Sequence, residues 1–498
     1  MGINQCTSIQ NNKHYIDFFE TKLKSSTSVI QFSIVNEYNE IKQQILKKRK
    51  LKDLSYIKVS TKYKSISSYI SLEKQKDIFH QWFSLIGNNI INEEKKGEMI
   101  TNFDYSINRI LTNIYVKYHQ KFVNLMMYNP PKSIRIILWK IANGLTQDEI
   151  QKRYNYYEYL LFEPVSYQIN EQIKKDLNRT FFHYEVYTPQ HIQKLYNILK
   201  VFSNLDKDIG YCQGINFIVK VILQCTNFNE ADAFSLLTYI FENIRGYFLE
   251  NFPLLQLNIF IFDYFFNKMF NNLFHHFSVM EIPYELWVGK WMQTLYTIYF
   301  PIEITIRLFD CLLAYGFDFV IFFSLSIVKH YEKELMTFTD LSEIIEFFRE
   351  IFSPVKMVSI NEINFDNIVH IDKIISYAKE LYTNSSNKGL VDNLKKEFLK
   401  NSNFDNKIFD MKYEYCYIKS TKTFTTQTTN DLSFSSTIQG NTINNSHTFH
   451  KIFSENKKEE DLILDDINIE CEECGINETM NTKILPFRIM KPNTCKKI

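Results

Sequence analysis

The chain has 498 residues, 45% of them hydrophobic and 23% charged, and carries a formal net charge of +1. Such a composition supplies a large core and argues against general nucleic-acid binding, which needs a strongly basic face. With only 12 glycines and 10 prolines it is also short of the turn residues that β-sandwiches and open α/β sheets require, so the expected class is all-α.

The N-terminus reads "MGINQCTS". Acylation of Gly2 and Cys6 would supply the two signals that stable membrane anchoring needs, with an unmodified start as the alternative. Residues 1–75 are polar and mixed. Their basic stretch, including "KKRK" at 47–50, reads as a localisation signal, an attraction to anionic lipid, or a solvated linker.

Apolar periodicity begins near "KDIFHQWFSLI", with Trp82, Phe83, Leu85 and Ile86. Residues 76–385 are therefore expected to form one large multi-helical domain. Within it, Thr188 and Pro189 suit the start of a helix whose Ile192, Leu195, Tyr196, Leu199 and Phe202 share one face. Asn229 suits the N-cap of another, followed by acidic residues that favour the helix dipole. The stretch "FDFVIFFSLSIV" at 317–328 is too short and too closely flanked by charge for a membrane span, and reads as a buried core helix. Residues 386–498 turn Ser/Thr/Asn-rich and then acidic, the composition of a disordered tail.

The eight cysteines are scattered, which suggests free thiols in a reducing compartment. Cys471 and Cys474 form one Cys-x-x-Cys without the second pair that zinc requires, so no metal site is expected.

Two stretches could carry chemistry: "IKKDLNRTFF" at 173–182 and "DKDIGYCQGINF" at 206–217. Arg179 stays protonated and offers a fork of donors to phosphate oxygens. Gln213 has no useful pKa, yet its amide can both accept from and donate to a water. Gly210 and Gly214 let the backbone around Tyr211, Cys212 and Gln213 approach a ligand, and the apolar run that follows puts Gln213 near a helix N-terminus, which favours anions. Together these residues suit phosphoryl transfer to water, a reaction governed by positioning and charge stabilisation. Equally, Asp176 and Arg179 could be an ordinary surface ion pair and Gln213 a loop residue.

"IKKDLNRT" and "GYCQGIN" resemble the two signature motifs of TBC domains, the GTPase-activating domains for Rab GTPases. Two further elements, spread with these over residues 128–335, agree. "PPKSIRIILWKIANG" supplies Pro131, Arg135, Trp139 and Gly144, and "WMQTLYTIYFPIEITIRLFDCLLAYG" supplies Trp291, Pro301, Arg307, Asp310 and Gly316. Phe309 stands where the family usually has tryptophan, and Ile215 where methionine is common. The resemblance implies an all-helical fold and a dual-finger mechanism. Arg179 would neutralise charge on the transferring phosphoryl group of a bound Rab, and Gln213 would position the attacking water. Asp176, Tyr211, Gly210 and Gly214 would be supporting, while Arg135, Trp139, Trp291, Arg307 and Asp310 are expected to pack and pair internally. No Gly-x-x-x-x-Gly-Lys-[Ser/Thr] loop occurs, so GTP and Mg²⁺ would be carried by the partner and the chain would need no cofactor of its own. The implied setting is vesicle traffic, in the cytoplasm or peripheral on endomembranes. The alternative within the family is a Rab-binding effector or scaffold without catalysis.

Overall fold

Helix starts are set where the sequence places capping residues. Thr146 and Glu149 form a reciprocal capping box, in which the Thr146 N–H donates to Glu149 Oε2 at 2.9 Å and the Glu149 N–H to Thr146 Oγ1 at 3.3 Å. The Thr146 N–H holds the Glu149 carboxyl below its usual range, although partial burial opposes it. Asn229 Oδ1 accepts from the Asp232 N–H at 2.9 Å, and Pro189 opens its helix just after Thr188.

The computed structural model describes residues 111–180, 187–352 and 368–402 throughout, with 56–59, 63–68, 356–359 and scattered residues at 74–85 and 404–415. Helical residues at 111–117 lead into α1 (His119–Met126), followed by α2 (Lys132–Ala142), α3 (Gln147–Phe162), α4 (Tyr167–Thr180) and α5 (Pro189–Leu205). There follow α6 (Ile215–Cys225), α7 (Glu230–Ile244), α8 (Pro253–Met269), α9 (Asn271–Val279), α10 (Tyr284–Gln293) and α11 (Ile302–Tyr315). The last are α12 (Phe319–His330), the single turn α13 (Glu332–Leu335), α14 (Leu341–Phe352), α15 (Ile371–Thr383) and α16 (Ser385–Asn401). Two small strand pairs accompany them. β1 (Tyr56–Val59) runs antiparallel to β3 (Lys356–Ser359), and β2 (Ser65–Ser67) parallel to β4 (Ile368–His370). The class is all-α.

The core is continuous. Every residue of α12 from Phe319 to Val328 is buried, as the apolar run at 317–328 foretells, and the helix packs against α8 and α15. Fully burying one such side chain contributes about 1.5–3 kcal/mol. The two serines inside the run find partners, as buried hydroxyls must. Ser324 Oγ donates to Val320 O and lies 2.8 Å from the Tyr296 hydroxyl, and Ser326 Oγ donates to Ile374 O at 2.7 Å. Among the described residues no helix is long and apolar enough to cross a membrane.

The described residues carry the helical body past both expected boundaries. The helical body does not stop at 385: Asn384 caps α16 through the Ser386 N–H at 3.0 Å, and α16 buries Val391 and Leu394 against the bundle. A polar helix that buries one narrow stripe leaves little apolar periodicity to read. Nor do all the residues before 75 lie outside the fold. Ile66 is buried, β2 pairs with β4, and Tyr331 donates from its hydroxyl to Lys64 O at 2.8 Å. Strands of three and four residues are too short to show alternation. Gly2, Cys6, the basic stretch at 47–50, Cys471, Cys474 and the expected tail beyond 415 lie outside the described residues. Among the described residues no group of acidic, His and Cys side chains could hold a metal ion.

Candidate catalytic site

α4 sets Asp176 and Arg179 three residues apart, neighbours on one helical face. Arg179 Nη2 pairs with Asp176 Oδ1 at 2.5 Å, the carboxylate buried and the guanidinium side chain 42% exposed. The other carboxylate oxygen of Asp176 accepts from the Tyr211 hydroxyl at 2.5 Å. Both oxygens are thus engaged, and Asp176 ties α4 to the glycine-flanked loop. Burial, reinforced by the charge of Asp176, pushes the Tyr211 phenol far above its usual range, so it stays a donor at any ordinary pH.

The loop turns on its glycines. Gly210 has φ +58° and Gly214 φ +108°, where side chains with a Cβ are strained. A Cβ on Gly210 would also come within 3.2 Å of Ile169 Cδ1. Gln213 stands exposed in the turn two residues before α6. Gly214 occupies the N-cap of α6, and its N–H donates to Asn216 Oδ1 at 3.0 Å. The buried Asn216 then donates from Nδ2 to Thr180 Oγ1 at 2.7 Å, and Lys220 Nζ donates to Thr180 O at 2.9 Å. The end of α4 beside Arg179 is therefore fastened to the start of α6 beside Gln213. Burial lowers Lys220 to about 8. The arrangement presents a permanent cation and a neutral amide on two elements that are held together. It offers charge stabilisation and positioning without proton transfer.

At the root of the loop lies a cluster that motif reading missed. Arg245 forks onto Asp206, Nε to Oδ2 at 2.6 Å and Nη2 to Oδ1 at 2.9 Å, and reaches Asp208 Oδ2 at 2.6 Å. Asp206 in turn organises the turn above it, since its Oδ1 accepts from the Ile209 N–H at 3.2 Å and its carbonyl from the Gly210 N–H at 2.7 Å. The charged run "DKD" hints at such a role, but nothing in local spacing points to Arg245.

The description "Rab-GTPase-TBC domain" matches residues 132–336, which hold α4, the loop and α6. Residues 132–336 carry a TBC domain. Its relatives include GTPase-activating protein GYP5 of Eremothecium gossypii, 28% identical over 222 residues, or 44% of this chain and 26% of that protein. Another is Rab GTPase-activating protein eat-17 of Caenorhabditis elegans, 26% identical over 257 residues, or 51% of this chain and 27% of that one. The matched part is about a quarter of each relative's length. Among solved structures, the Ypt/Rab-GAP domain of Gyp1p overlays with a TM-score of 0.45 at 21% identity, over 53% of this chain and 92% of that domain.

Five other motif side chains, Arg135, Trp139, Trp291, Arg307 and Asp310, are buried. Asp310, fully buried, accepts on Oδ1 from Trp139 Nε1 at 2.7 Å and Arg135 Nε at 3.2 Å. Arg135 Nη2 also reaches Asn129 Oδ1 at 2.7 Å and Pro130 O at 2.8 Å. Burial raises the Asp310 carboxyl, and Arg135, Trp139 and Arg307 only partly offset it. Arg307 bonds Met127 O and pairs with Asp372 Oδ1 at 2.8 Å, a partner on α15 that no motif indicated. Trp291 is buried in an aromatic cluster with Trp287, Tyr296, Phe348 and Phe352. Phe309, in the place of the usual tryptophan, has its ring 6.0 Å from that of Trp139.

Proposed function

We propose that this chain is a GTPase-activating protein for a Rab-family small GTPase, inserting Arg179 and Gln213 into the nucleotide site of the bound partner. The observation that carries the reading is the pair of tethers, Asp176 to Tyr211 and Asn216 to Thr180, which lock together the two elements that expose these side chains. The names of the relatives point the same way.

In the isolated chain Arg179 rests on Asp176. The arginine side of this pair is screened by solvent and the buried Asp176 carboxylate keeps its bond from Tyr211, so exchanging it for phosphoryl oxygens costs on the order of 1 kcal/mol. An arginine supplied in trans typically accelerates hydrolysis ~10³–10⁵-fold, or about 4–7 kcal/mol of barrier. Gln213 accepts from the attacking water on its carbonyl oxygen and donates from its amide, holding the water in line. Mg²⁺ and GTP come with the partner, and the chain supplies no general base. Action on a Rab would place the chain in vesicle traffic, peripheral to endomembranes.

Single-turnover hydrolysis with a panel of GTP-loaded Rabs tests the reading. At least one Rab should be accelerated by the intact chain, and the acceleration should fall by orders of magnitude in both Arg179→Ala and Gln213→Ala. Tight binding of a Rab with no acceleration by the intact chain would make it an effector instead.

A further inference from the structure

More than 190 residues beyond the glycine-flanked loop, the chain returns to its root. Tyr413 is 7% exposed and donates from its hydroxyl to Asp206 Oδ2 at 2.8 Å, the oxygen that also takes Arg245 Nε. The Tyr413 N–H donates to the Glu242 carboxylate of α7, and the ring meets Phe202 of α5 edge-on at 6.4 Å. Two residues on, the Tyr415 hydroxyl accepts from Arg153 Nη1 of α3 at 2.9 Å, while the guanidinium of Arg153 lies over the Tyr415 ring at 4.7 Å. Tyr156 meets that ring edge-on at 5.7 Å.

These contacts form one connected set. Asp206 carries the Ile209 and Gly210 N–H groups, Gly210 leads into Tyr211, and Tyr211 holds Asp176 against Arg179. Tyr413 supplies a donor, beside Arg245, to Asp206 Oδ2, whereas the Ile209 N–H of the loop donates to Oδ1. A buried carboxylate needs its lone pairs filled, and an acceptor left unmade loosens whatever it organises.

We infer that the segment bearing Tyr413 and Tyr415 is a strap that positions the Gln213 loop, with Tyr413 a positioning residue acting through Asp206. The catalytic half of this inference rests on the proposed GTPase-activating function. The structural half does not. Tyr415, clamped by Arg153 and Tyr156, anchors the strap so that the Tyr413 hydroxyl stays in register. The strap belongs to neither sequence motif, so it gives this chain a means of tuning the loop from outside them.

Two measurements on the full chain test this, hydrogen exchange at the amides of 206–214 and single-turnover GTP hydrolysis with an accelerated Rab. Tyr413→Phe keeps the ring on Phe202 and removes only the hydroxyl. Exchange at Ile209 and Gly210 should rise about tenfold, and the maximal rate should fall about tenfold with the half-saturating concentration unchanged, the size expected of one hydrogen bond to a charged group. Tyr415→Phe, which keeps the ring over Arg153, should give a smaller effect in the same direction. A purely structural Tyr413 would lower the melting temperature while leaving exchange at 209–210 and the maximal rate untouched, and that result overturns the inference. If no Rab is accelerated by the intact chain, the functional reading fails, and the exchange data still decide whether the strap orders the loop.

Discussion

The TBC domain holds two arginine–aspartate pairs drawn from its motifs, and they differ in one physical respect. Arg135 and Asp310 are 5% and 0% exposed and share the carboxylate with Trp139, whereas the Arg179 side chain is 42% exposed above its buried Asp176. Buried on all sides, the first pair has no other anion to meet, so its arginine is committed to the fold. On the proposed function, the second arginine exchanges its carboxylate for phosphoryl oxygens. Residue type is the same in both. Solvent access decides which pair is scaffold and which is available for chemistry.

The contrast is sharpened by breaking each pair. Arg179→Ala should remove ~10³ or more of the rate acceleration. It should cost only on the order of 1 kcal/mol of stability, because the pair is screened on its arginine side and Asp176 keeps the Tyr211 hydroxyl. Asp310→Ala should do the reverse, costing about 3–5 kcal/mol of stability because Arg135 is left buried and unpaired. Its rate, measured below the lowered melting point, should stay close to that of the intact chain. Melting followed by circular dichroism beside single-turnover kinetics separates the two axes. If Arg179→Ala melted as early as Asp310→Ala, the division between scaffold and finger would be lost.

Tyr211→Phe lies between them, since Asp176 then keeps Arg179 but loses its tie to the loop. The expected loss is about 1–2 kcal/mol on each axis, roughly tenfold in rate, because a hydrogen bond to a charged group has been removed. A loss in stability with no loss in rate would show that the tie holds the helices together without aligning Gln213.

Much of this was legible in the chain. The starts of α5 and α7 follow from Thr188, Pro189 and Asn229, and α12 follows from an unbroken apolar run, because capping and burial are local properties of sequence. Asp176 and Arg179 are three residues apart, so their meeting follows from helix geometry. What escaped reading depends on partners distant in the chain: Arg245 on Asp206, Arg307 on Asp372, and Tyr413 on Asp206. A single arginine or tyrosine carries no periodicity, and which carboxylate it finds is set by tertiary packing. The lengths of β2 and β4, three residues each, and the narrow buried stripe of α16 hid those elements for the same reason.

The smallest effect separates two cations at the end of α4. Arg179 keeps its charge at every accessible pH. Lys220, whose Nζ bonds Thr180 O beside it, is lowered by burial from 10.5 to about 8. Below about 8 the folded and unfolded chains both carry the proton, and the burial cost of the ammonium is present in full. Between about 8 and 10.5 the unfolded chain binds more protons than the folded one, so the contribution of this lysine to stability rises with pH. With partial solvent screening, that gain should be on the order of 1 kcal/mol. Other groups titrate in the same window, so the quantity to measure is the difference between the intact chain and Lys220→Met in urea midpoint as the buffer moves from neutral to alkaline. The difference should shift steadily in favour of the intact chain. A neutral amine still donates to the Thr180 carbonyl, so the hydrolysis rate should stay flat over the pH range in which stability changes. A rate that fell with the deprotonation of Lys220 would instead mean that its charge, and not Arg179 alone, acts on the phosphoryl group.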